Sequence, residues 1–201
     1  MLQRVGRIVL FALAATIAAG QDPLIGRWRS TDVSASGVST IFEFRGGDQM
    51  DSYSAVVSEE KYRLAGTDTI LLQSKERREE KQELEWDSQD RARIEDEAVG
   101  KKIELTRLGT ASDAKHPLVG EWRTARQWNG RTYPARALFF ADGNLLWFTE
   151  LRAERGSYSV QDRNIRLEVP NHPPVNGMFT VEGDRLTLPN PNGGQSGFQR
   201  F

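Results

Sequence analysis

Hydrophobic and polar residues alternate with a period of two along much of the chain. Residues 39–44 alternate in this way before Gly46-Gly47, and 144–149 follow an apolar run and Asp142-Gly143. An Asp-Gly pair between β-prone runs predicts a hairpin. Further strands are predicted at 156–160, 164–169, 178–181, around Leu186 and at 198–201. The pattern predicts an all-β chain with about eight short strands in each half, as in antiparallel sandwiches and barrels, and no αβ alternation that would indicate a doubly wound sheet.

Two turns in the second half predict registers that differ by one residue. A two-residue turn at Asn129-Gly130 places Trp122 on one face with Ala137, whereas a two-residue turn at Asp142-Gly143 pairs Phe140 with Leu145. Proline cannot donate to a strand ladder and is found at bulges or edges. We therefore expect a bulge near Pro134.

Short blocks of sequence recur at a nearly constant spacing. Residues 23–30 (PLIGRWRS) return as 117–124 (PLVGEWRT), 90–94 return as 184–188, and 105–108 match 198–201 one residue off that spacing. Such self-similarity is typical of a tandem duplication. We predict two small antiparallel meander barrels that superpose on each other, formed by residues 21–109 and 116–201 and joined by a linker at 110–115.

The first 20 residues are predicted to be a secretory signal peptide. Arg4 and Arg7 precede an apolar run over 8–19, and small residues lead to Gln21 as the mature start. An uncleaved anchor is the alternative, but the apolar run is short for a membrane span. The rest of the chain has no stretch that would cross a membrane, so we expect the mature protein not to be membrane-embedded. The chain has no cysteine, which favours a bacterial periplasm or medium.

Charge is uneven along the chain. Residues 21–115 hold 15 Lys+Arg and 20 Asp+Glu, a net charge of −5, and 116–201 hold 10 and 8, a net charge of +2. This difference would favour docking of one half on the other. No basic stripe interleaved with aromatic residues is present, so nucleic acid is not expected as a partner. The mixed charges of 75–83 indicate a solvated hairpin end or a helical turn, with an electrostatic docking arm as the alternative.

The beginning and end of each half carry a Gly-x-Trp and an arginine. This combination resembles the lipocalin superfamily, and more closely the short bacterial lipocalin-like domains, which are often of unknown function. The matching residues are Gly26, Trp28 and Arg107 in the first half and Gly120, Trp122 and Arg200 in the second. The resemblance implies small barrels in which the arginine of the last strand packs across the indole of the first.

These six residues therefore have a predicted structural role in barrel closure. We expect Arg107 to stack on Trp28 and Arg200 on Trp122, as cation–π contacts that join the first strand to the last. Direct contact with a ligand is the alternative. Each half is much shorter than a full lipocalin, so side chains could fill the interior.

Catalytic and metal-binding patterns are absent from the sequence. His116 and His172 are the two histidines, and neither has a partner at metal-ligand spacing. No nucleophile elbow, Walker loop or dinucleotide-binding glycine pattern occurs. We expect a protein that is not an enzyme, with no cofactor and no metal. An enzyme that uses a carboxylate pair at a barrel mouth is a weaker alternative.

Aromatic and basic residues concentrate in the second half near two predicted hairpins. The candidate ligand-binding residues are Trp128, Tyr133, Trp147, Arg126 and Arg131, with Phe148 and Arg136 beside them. Rings at hairpin tips could line a small-molecule portal where an arginine meets an anionic group. The alternative is that Trp147 fills the core and Trp128 lies on the surface or between the halves.

Two functions are compatible with these features. The first is an exported, non-enzymatic binding protein for a small apolar or amphipathic molecule, with the second half as the binding half. The second is an envelope protein–protein interaction module with filled barrels, no ligand, and Trp128 and Phe148 exposed. A large apolar cavity would favour the first, and a filled interior would favour the second.

Overall fold

The chain is described by a computed structural model that covers residues 22–75, 78–96, 101–110 and 116–201. Its 15 strands are β1 (Gly26–Val33), β2 (Val38–Arg45), β3 (Gln49–Leu64), β4 (Thr69–Ser74), β5 (Glu80–Ser88), β6 (Arg91–Asp96), β7 (Lys101–Leu108), β8 (Gly120–Trp128), β9 (Arg131–Phe139), β10 (Asn144–Gln161), β11 (Asn164–Glu168), β12 (Val175–Met178), β13 (Thr180–Glu182), β14 (Arg185–Pro189) and β15 (Gln195–Arg200). The described residues contain no helix. The predicted all-β class is confirmed.

All 15 strands belong to one antiparallel sheet, part of which closes into an eight-strand ring. Each strand from β3 to β10 pairs with the next, and β10 pairs back with β3. Closure removes the sheet edges, which would otherwise present unpaired backbone groups. Inside the ring, 12 buried residues form one apolar core, in which Trp122, Phe139 and Trp147 are the largest.

The two strands that close the ring extend beyond it. Strand β3 has 16 residues and β10 has 18, and they pair with each other from Asn144↔Lys61 to Ser157↔Gln49. The first part of β3 continues through β2, β1, β15 and β14 to β13, and the last part of β10 continues through β11 to β12. These strands form the second strand group, with its own core around Trp28, Phe44 and Tyr158.

A third apolar cluster lies on the opposite face of the shared strands. Tyr53 and Ala55 of β3 pack there with Leu146 and Phe148 of β10 and with Ile41. One extra residue in β10 separates Glu150, which pairs with Ala55, from Arg152, which pairs with Ser54. This bulge changes which β10 side chains point inward, so Trp147 faces the ring core and Tyr158 faces the second core.

Two tandem barrels, one from each half of the chain, are not confirmed. Strand β1 pairs with β15, and β7 pairs with β8, so the strands predicted to close each half pair instead with strands from the other half. The predicted arginine contacts are wrong for the same reason. Arg107 stacks on Trp122 and Arg200 on Trp28, the reverse of the expected partners.

The turns of the second half resolve the conflict in register. Asn129 and Gly130 have φ angles of 48° and 76° and join β8 to β9 as a two-residue turn, as predicted. Strand β10 instead pairs Leu145 with Phe139, because three residues (141–143) rather than two separate Phe140 from Asn144, whose backbone oxygen accepts from the Phe140 N–H. The predicted bulge near Pro134 is therefore wrong, and Pro134 pairs in register with Ala125.

The predicted signal peptide (1–20) lies outside the described residues, as does the predicted linker apart from Thr110. The sequence pattern predicts only short strands, and this expectation is wrong for β3 and β10. Residues 150–155 carry four charges and no turn residue, and they continue β10 from one core to the next.

Candidate functional site

The arginines and tryptophans among the six predicted closure residues form two matching contacts. The Arg107 guanidinium carbon lies 4.0 Å from the Trp122 ring centroid, and that of Arg200 lies 4.1 Å from Trp28. Both indole rings are fully buried. The Nε1 of each ring donates to a backbone oxygen four residues earlier, at 2.7 Å.

The arginines also bind the backbone that precedes each tryptophan. Nη1 of Arg107 donates to the Val119 oxygen at 3.0 Å, and Nη1 of Arg200 donates to the Ile25 oxygen at 2.7 Å. These bonds satisfy carbonyl groups of the entering chain, in addition to the contact with the ring. The geometry therefore gives these residues a role in closing the sheet.

The predicted ligand-binding residues share the inward face of the ring near the β8–β9 turn. Arg126 and Trp128 lie on the same face of β8 as buried Trp122, because every second side chain of a strand points the same way. Across the turn, Tyr133 pairs with Arg126 and Arg131 pairs with Trp128. Arg126 and Trp147 line one pocket of about 270 Å³, which we call the ring pocket. Trp128, Tyr133 and Arg131 lie beyond it toward the turn.

Polar contacts hold Trp147 in the ring pocket. Its Nε1 donates to Oε2 of Glu60 at 3.0 Å, and the guanidinium carbon of Arg126 lies 4.8 Å from the ring centroid. Arg126 also donates to Oγ of Ser58 at 3.1 Å. Oε1 of Gln82, another lining residue, is buried without a hydrogen-bond partner.

Phe148 and Arg136 lie on the opposite face of the sheet from the ring core. Phe148 is fully buried and stacks edge-on against Tyr53 at 5.1 Å. The exposed Phe148 that would favour the protein–protein interaction alternative is therefore not found. Arg136 binds Glu150 at 2.6 Å and Glu121 at 2.9 Å, so its charge is already balanced within the protein.

Charged groups from both halves meet around Arg136. Arg27 of β1 contacts Glu121 of β8 at 3.0 Å and Glu43 of β2 at 3.3 Å. Burial disfavours ionised Glu43, but Arg27 and Arg45 outweigh this effect and lower its pKa. Burial also raises the pKa of Tyr53, which donates to Glu43 at 3.1 Å. This network links the outer faces of the two halves.

A larger cavity, of about 430 Å³, lies in the second strand group, and we call it the seam cavity. It opens where β12 and β14 are neighbours without a hydrogen-bonded ladder. They come close at one point, since a Cβ added to Gly177 would lie 2.9 Å from Cβ of Pro189.

The lining of the seam cavity mixes polar and apolar side chains. Hydroxyl groups project from four neighbouring strands, and they belong to Ser196, Ser30, Thr40, Ser52 and Ser54. The apolar lining includes Phe42, Leu167, Val169, Val175 and Phe198. Such a mixed surface suits a small molecule that has both polar and apolar groups.

Three charged or titratable residues lie at the edge of this cavity. Glu154 receives a hydrogen bond from Arg152 at 2.8 Å and lies 3.3 Å from Nε2 of His172. Arg152 and His172 are about half exposed, whereas Glu154 is mostly buried. His172 belongs to the proline-flanked loop between β11 and β12.

One row of side chains explains why this cavity is larger than the ring pocket. In the ring, the row runs from Trp122 through Ala137 to Trp147. In the second strand group, the matching row runs from Trp28 through Phe42 to Ser52. Serine therefore stands where the ring has the Trp147 indole, and the space on that strand stays open. An alignment of the two halves shows this difference, whereas the aromatic residues of the sequence indicate a site in the ring.

Comparisons with protein-family profiles, with curated proteins and with solved structures found no match. Within the described part of the chain, no group of three or more His, Cys, Asp and Glu residues could hold a metal ion. The same residues include no helix long and apolar enough to cross a membrane.

Proposed function

We propose that this protein is an exported, non-enzymatic binding protein that holds a small amphipathic molecule in the seam cavity. The observation that carries the proposal is a cavity of about 430 Å³ that is lined by both hydroxyl groups and apolar side chains. Ligand pockets in proteins commonly measure about 300–1,000 Å³ and are mainly apolar with a few placed polar groups.

The seam cavity supports this function better than the interior of the ring. Trp147 is 2% exposed and occupies the ring core, which leaves a smaller and more polar space around Arg126. The proposed site therefore differs from the site predicted in the second half. Residues from both halves line it, with Ser30, Phe42 and Ser52 from the first half.

The lining indicates the class of ligand. Five hydroxyl groups can exchange hydrogen bonds with the polar groups of a ligand, and Phe42 and Phe198, whose ring centroids are 5.3 Å apart, offer an apolar surface beside them. A compact molecule with a polar head and a short apolar part fits this mixed lining.

Export, duplication and likeness to lipocalins belong to the same proposal. The apolar run at 8–19 supports export. Matching contacts of Arg107 with Trp122 and of Arg200 with Trp28 support duplication of one lipocalin-like unit, whose copies then exchanged their closing strands.

The experiment is a titration of the mature chain (21–201) with octyl glucoside below its micelle concentration and with decanoate, followed by calorimetry. Ser52→Trp copies the filled arrangement of the ring and should abolish binding. Val33→Trp adds an indole at a side chain that is 57% exposed and should leave binding unchanged. No saturable heat with the folded protein, or binding that survives Ser52→Trp, would reject the proposal.

A filled ring is also compatible with an envelope protein–protein interaction module, as the second candidate. The closed core of the ring favours it. Buried Phe148 removes one of the two residues expected to form its contact surface. Retention of a specific partner by both the original chain and Ser52→Trp, without binding of either small molecule, would favour this candidate.

A further inference from the structure

Among the described residues, the ring pocket contains a buried acceptor that the protein leaves unpaired. Gln82 of β5 is 7% exposed, and its Oε1 has no hydrogen-bond partner. Leaving a buried polar atom without a partner destabilises the folded state, so folded proteins rarely keep one without a reason.

A second unpaired atom lies on the same inward face. Oγ1 of Thr124 is buried without a partner, two residues before Arg126 along β8. Alternation along the strand places Thr124 on the face of Trp122 and Arg126. The polar wall of the ring interior therefore has unused hydrogen-bonding capacity at two positions.

Groups of opposite charge surround the Trp147 indole in this pocket. Glu60 accepts from its Nε1 at 3.0 Å, and Arg126 lies over its face at 4.8 Å. Glu80 and Arg78 also line the pocket. The pocket therefore presents both anionic and cationic groups beside the indole.

We infer that the ring pocket is a second binding site, for a small zwitterion of the amino-acid type. An ammonium group carries three donors and can serve Gln82 Oε1 and the Glu60 carboxylate together. The carboxylate of the same molecule meets the guanidinium of Arg126, in a charge-assisted hydrogen bond. A volume of about 270 Å³ accommodates a free amino acid but not a large amphipathic molecule.

This site is independent of the seam cavity in residues and in ligand. The ring pocket is lined by β3, β4, β5, β7, β8 and β10, and by Arg78 between β4 and β5. The seam cavity takes its hydroxyl groups from β1, β2, β3 and β15. If the binding expected at one site is not observed, the binding expected at the other site can still be tested.

The test is calorimetric titration of the mature chain with glycine, L-serine and L-glutamine at millimolar concentration. Ammonium chloride and sodium acetate, which each carry one of the two charges, serve as probe controls. We expect saturable binding of at least one amino acid and at least about tenfold weaker binding of either control salt.

Gln82→Leu removes the unpaired acceptor without burying a new polar group, so the variant should fold and be at least as stable to urea. It should weaken amino-acid binding by about tenfold or more. Gln73→Leu, at an exposed position of the neighbouring strand β4, is the matched control and should bind normally. Ser52→Trp should also bind amino acids normally.

Absence of amino-acid binding by the folded chain would overturn the inference, and the Gln82 acceptor would then be served by water. Equal binding by the original chain and Gln82→Leu would also overturn it. If Gln82→Leu lost amino-acid binding while Gln73→Leu and Ser52→Trp kept it, the ring pocket would be established as a site separate from the seam cavity.

Discussion

The guanidinium carbon of Arg107 lies 4.0 Å from the ring centroid of Trp122, 15 positions later in the chain. Its counterpart, Arg200, lies 4.1 Å from Trp28, near the opposite end of the described chain. One contact therefore joins consecutive strands, and the other joins the first strand to the last. Together they join strands from the two halves within each strand group.

A double-mutant cycle should detect the exchanged partners. Arg107→Met and Trp122→Leu should show a coupling free energy of about 1–2 kcal/mol in urea denaturation, because the pair forms a buried cation–π contact. Arg107→Met combined with Trp28→Leu should be additive within about 0.5 kcal/mol, since those residues are not in contact. If Arg107 were coupled to Trp28 rather than to Trp122, the observed partners would be contradicted, and two barrels that each close within one half would be favoured.

The local structure could be read from the sequence, but the choice of strand partners could not. Alternation identified most strands, and Asn129-Gly130 predicted its turn because both residues tolerate positive φ. The closing contacts were harder to predict because Arg107 and Arg200 have the same local surroundings. Stacking on Trp28 or on Trp122 is chemically equivalent, so the path of the connecting chain decides between them.

The candidate site shows a similar limit. Arg126 and Trp147 were selected for their chemistry and do line one pocket. The larger cavity is marked by Ser52, a small residue whose meaning is visible only beside its counterpart Trp147. Gln82 has no sequence signal at all, because the absence of a hydrogen-bond partner is a property of the folded interior.

Separate halves of the chain should not fold alone. Fragments 21–109 and 116–201 each lack strands that close the ring, since β3 to β7 come from one and β8 to β10 from the other. We expect neither fragment to show a cooperative unfolding transition by circular dichroism. An equimolar mixture should recover one by strand complementation. A cooperative, monomeric transition in either isolated fragment would contradict the exchange of closing strands.

Stability should fall in acid partly through Glu43. Burial opposes its charge, but Arg27 and Arg45 hold its pKa below the ordinary value of 4.5. A carboxyl group with a lowered folded-state pKa stabilises the protein fully above its unfolded pKa and loses that contribution as pH falls through the folded value. The urea midpoint should therefore drop below about pH 4.5.

Glu43→Gln should make that drop shallower, while lowering stability at neutral pH because Arg27 loses one of its two carboxylate partners. Glu79→Gln is the control. The pKa of Glu79 is also lowered, by the hydrogen bond from Arg63, but this pair is exposed and should contribute little. An identical pH dependence in the original chain and Glu43→Gln would exclude Glu43 as a source of the acid sensitivity.

The two glycines of the Gly-x-Trp motifs should tolerate no side chain. Gly26 and Gly120 both have a φ of 125°, a region that L residues with a Cβ rarely adopt. A Cβ at Gly26 would also lie 2.9 Å from Nη1 of Arg200, and one at Gly120 would lie 3.2 Å from Nη1 of Arg107. Each alanine substitution should therefore combine backbone strain with displacement of the closing arginine. We expect a loss of about 2–4 kcal/mol of unfolding free energy for either variant, measured by urea denaturation.

Gly46→Ala is the matched control for these glycine substitutions. A Cβ added at Gly46 would have no atom within 4 Å, and the φ of this residue is not positive, so its unfolding free energy should change by less than about 0.5 kcal/mol. The loss of unfolding free energy has two sources, backbone strain and displacement of the arginine. Repeating Gly26→Ala in an Arg200→Met background separates them. If the substitution cost as much there as in the original chain, backbone strain would account for the whole effect and the arginine would have no part in selecting glycine.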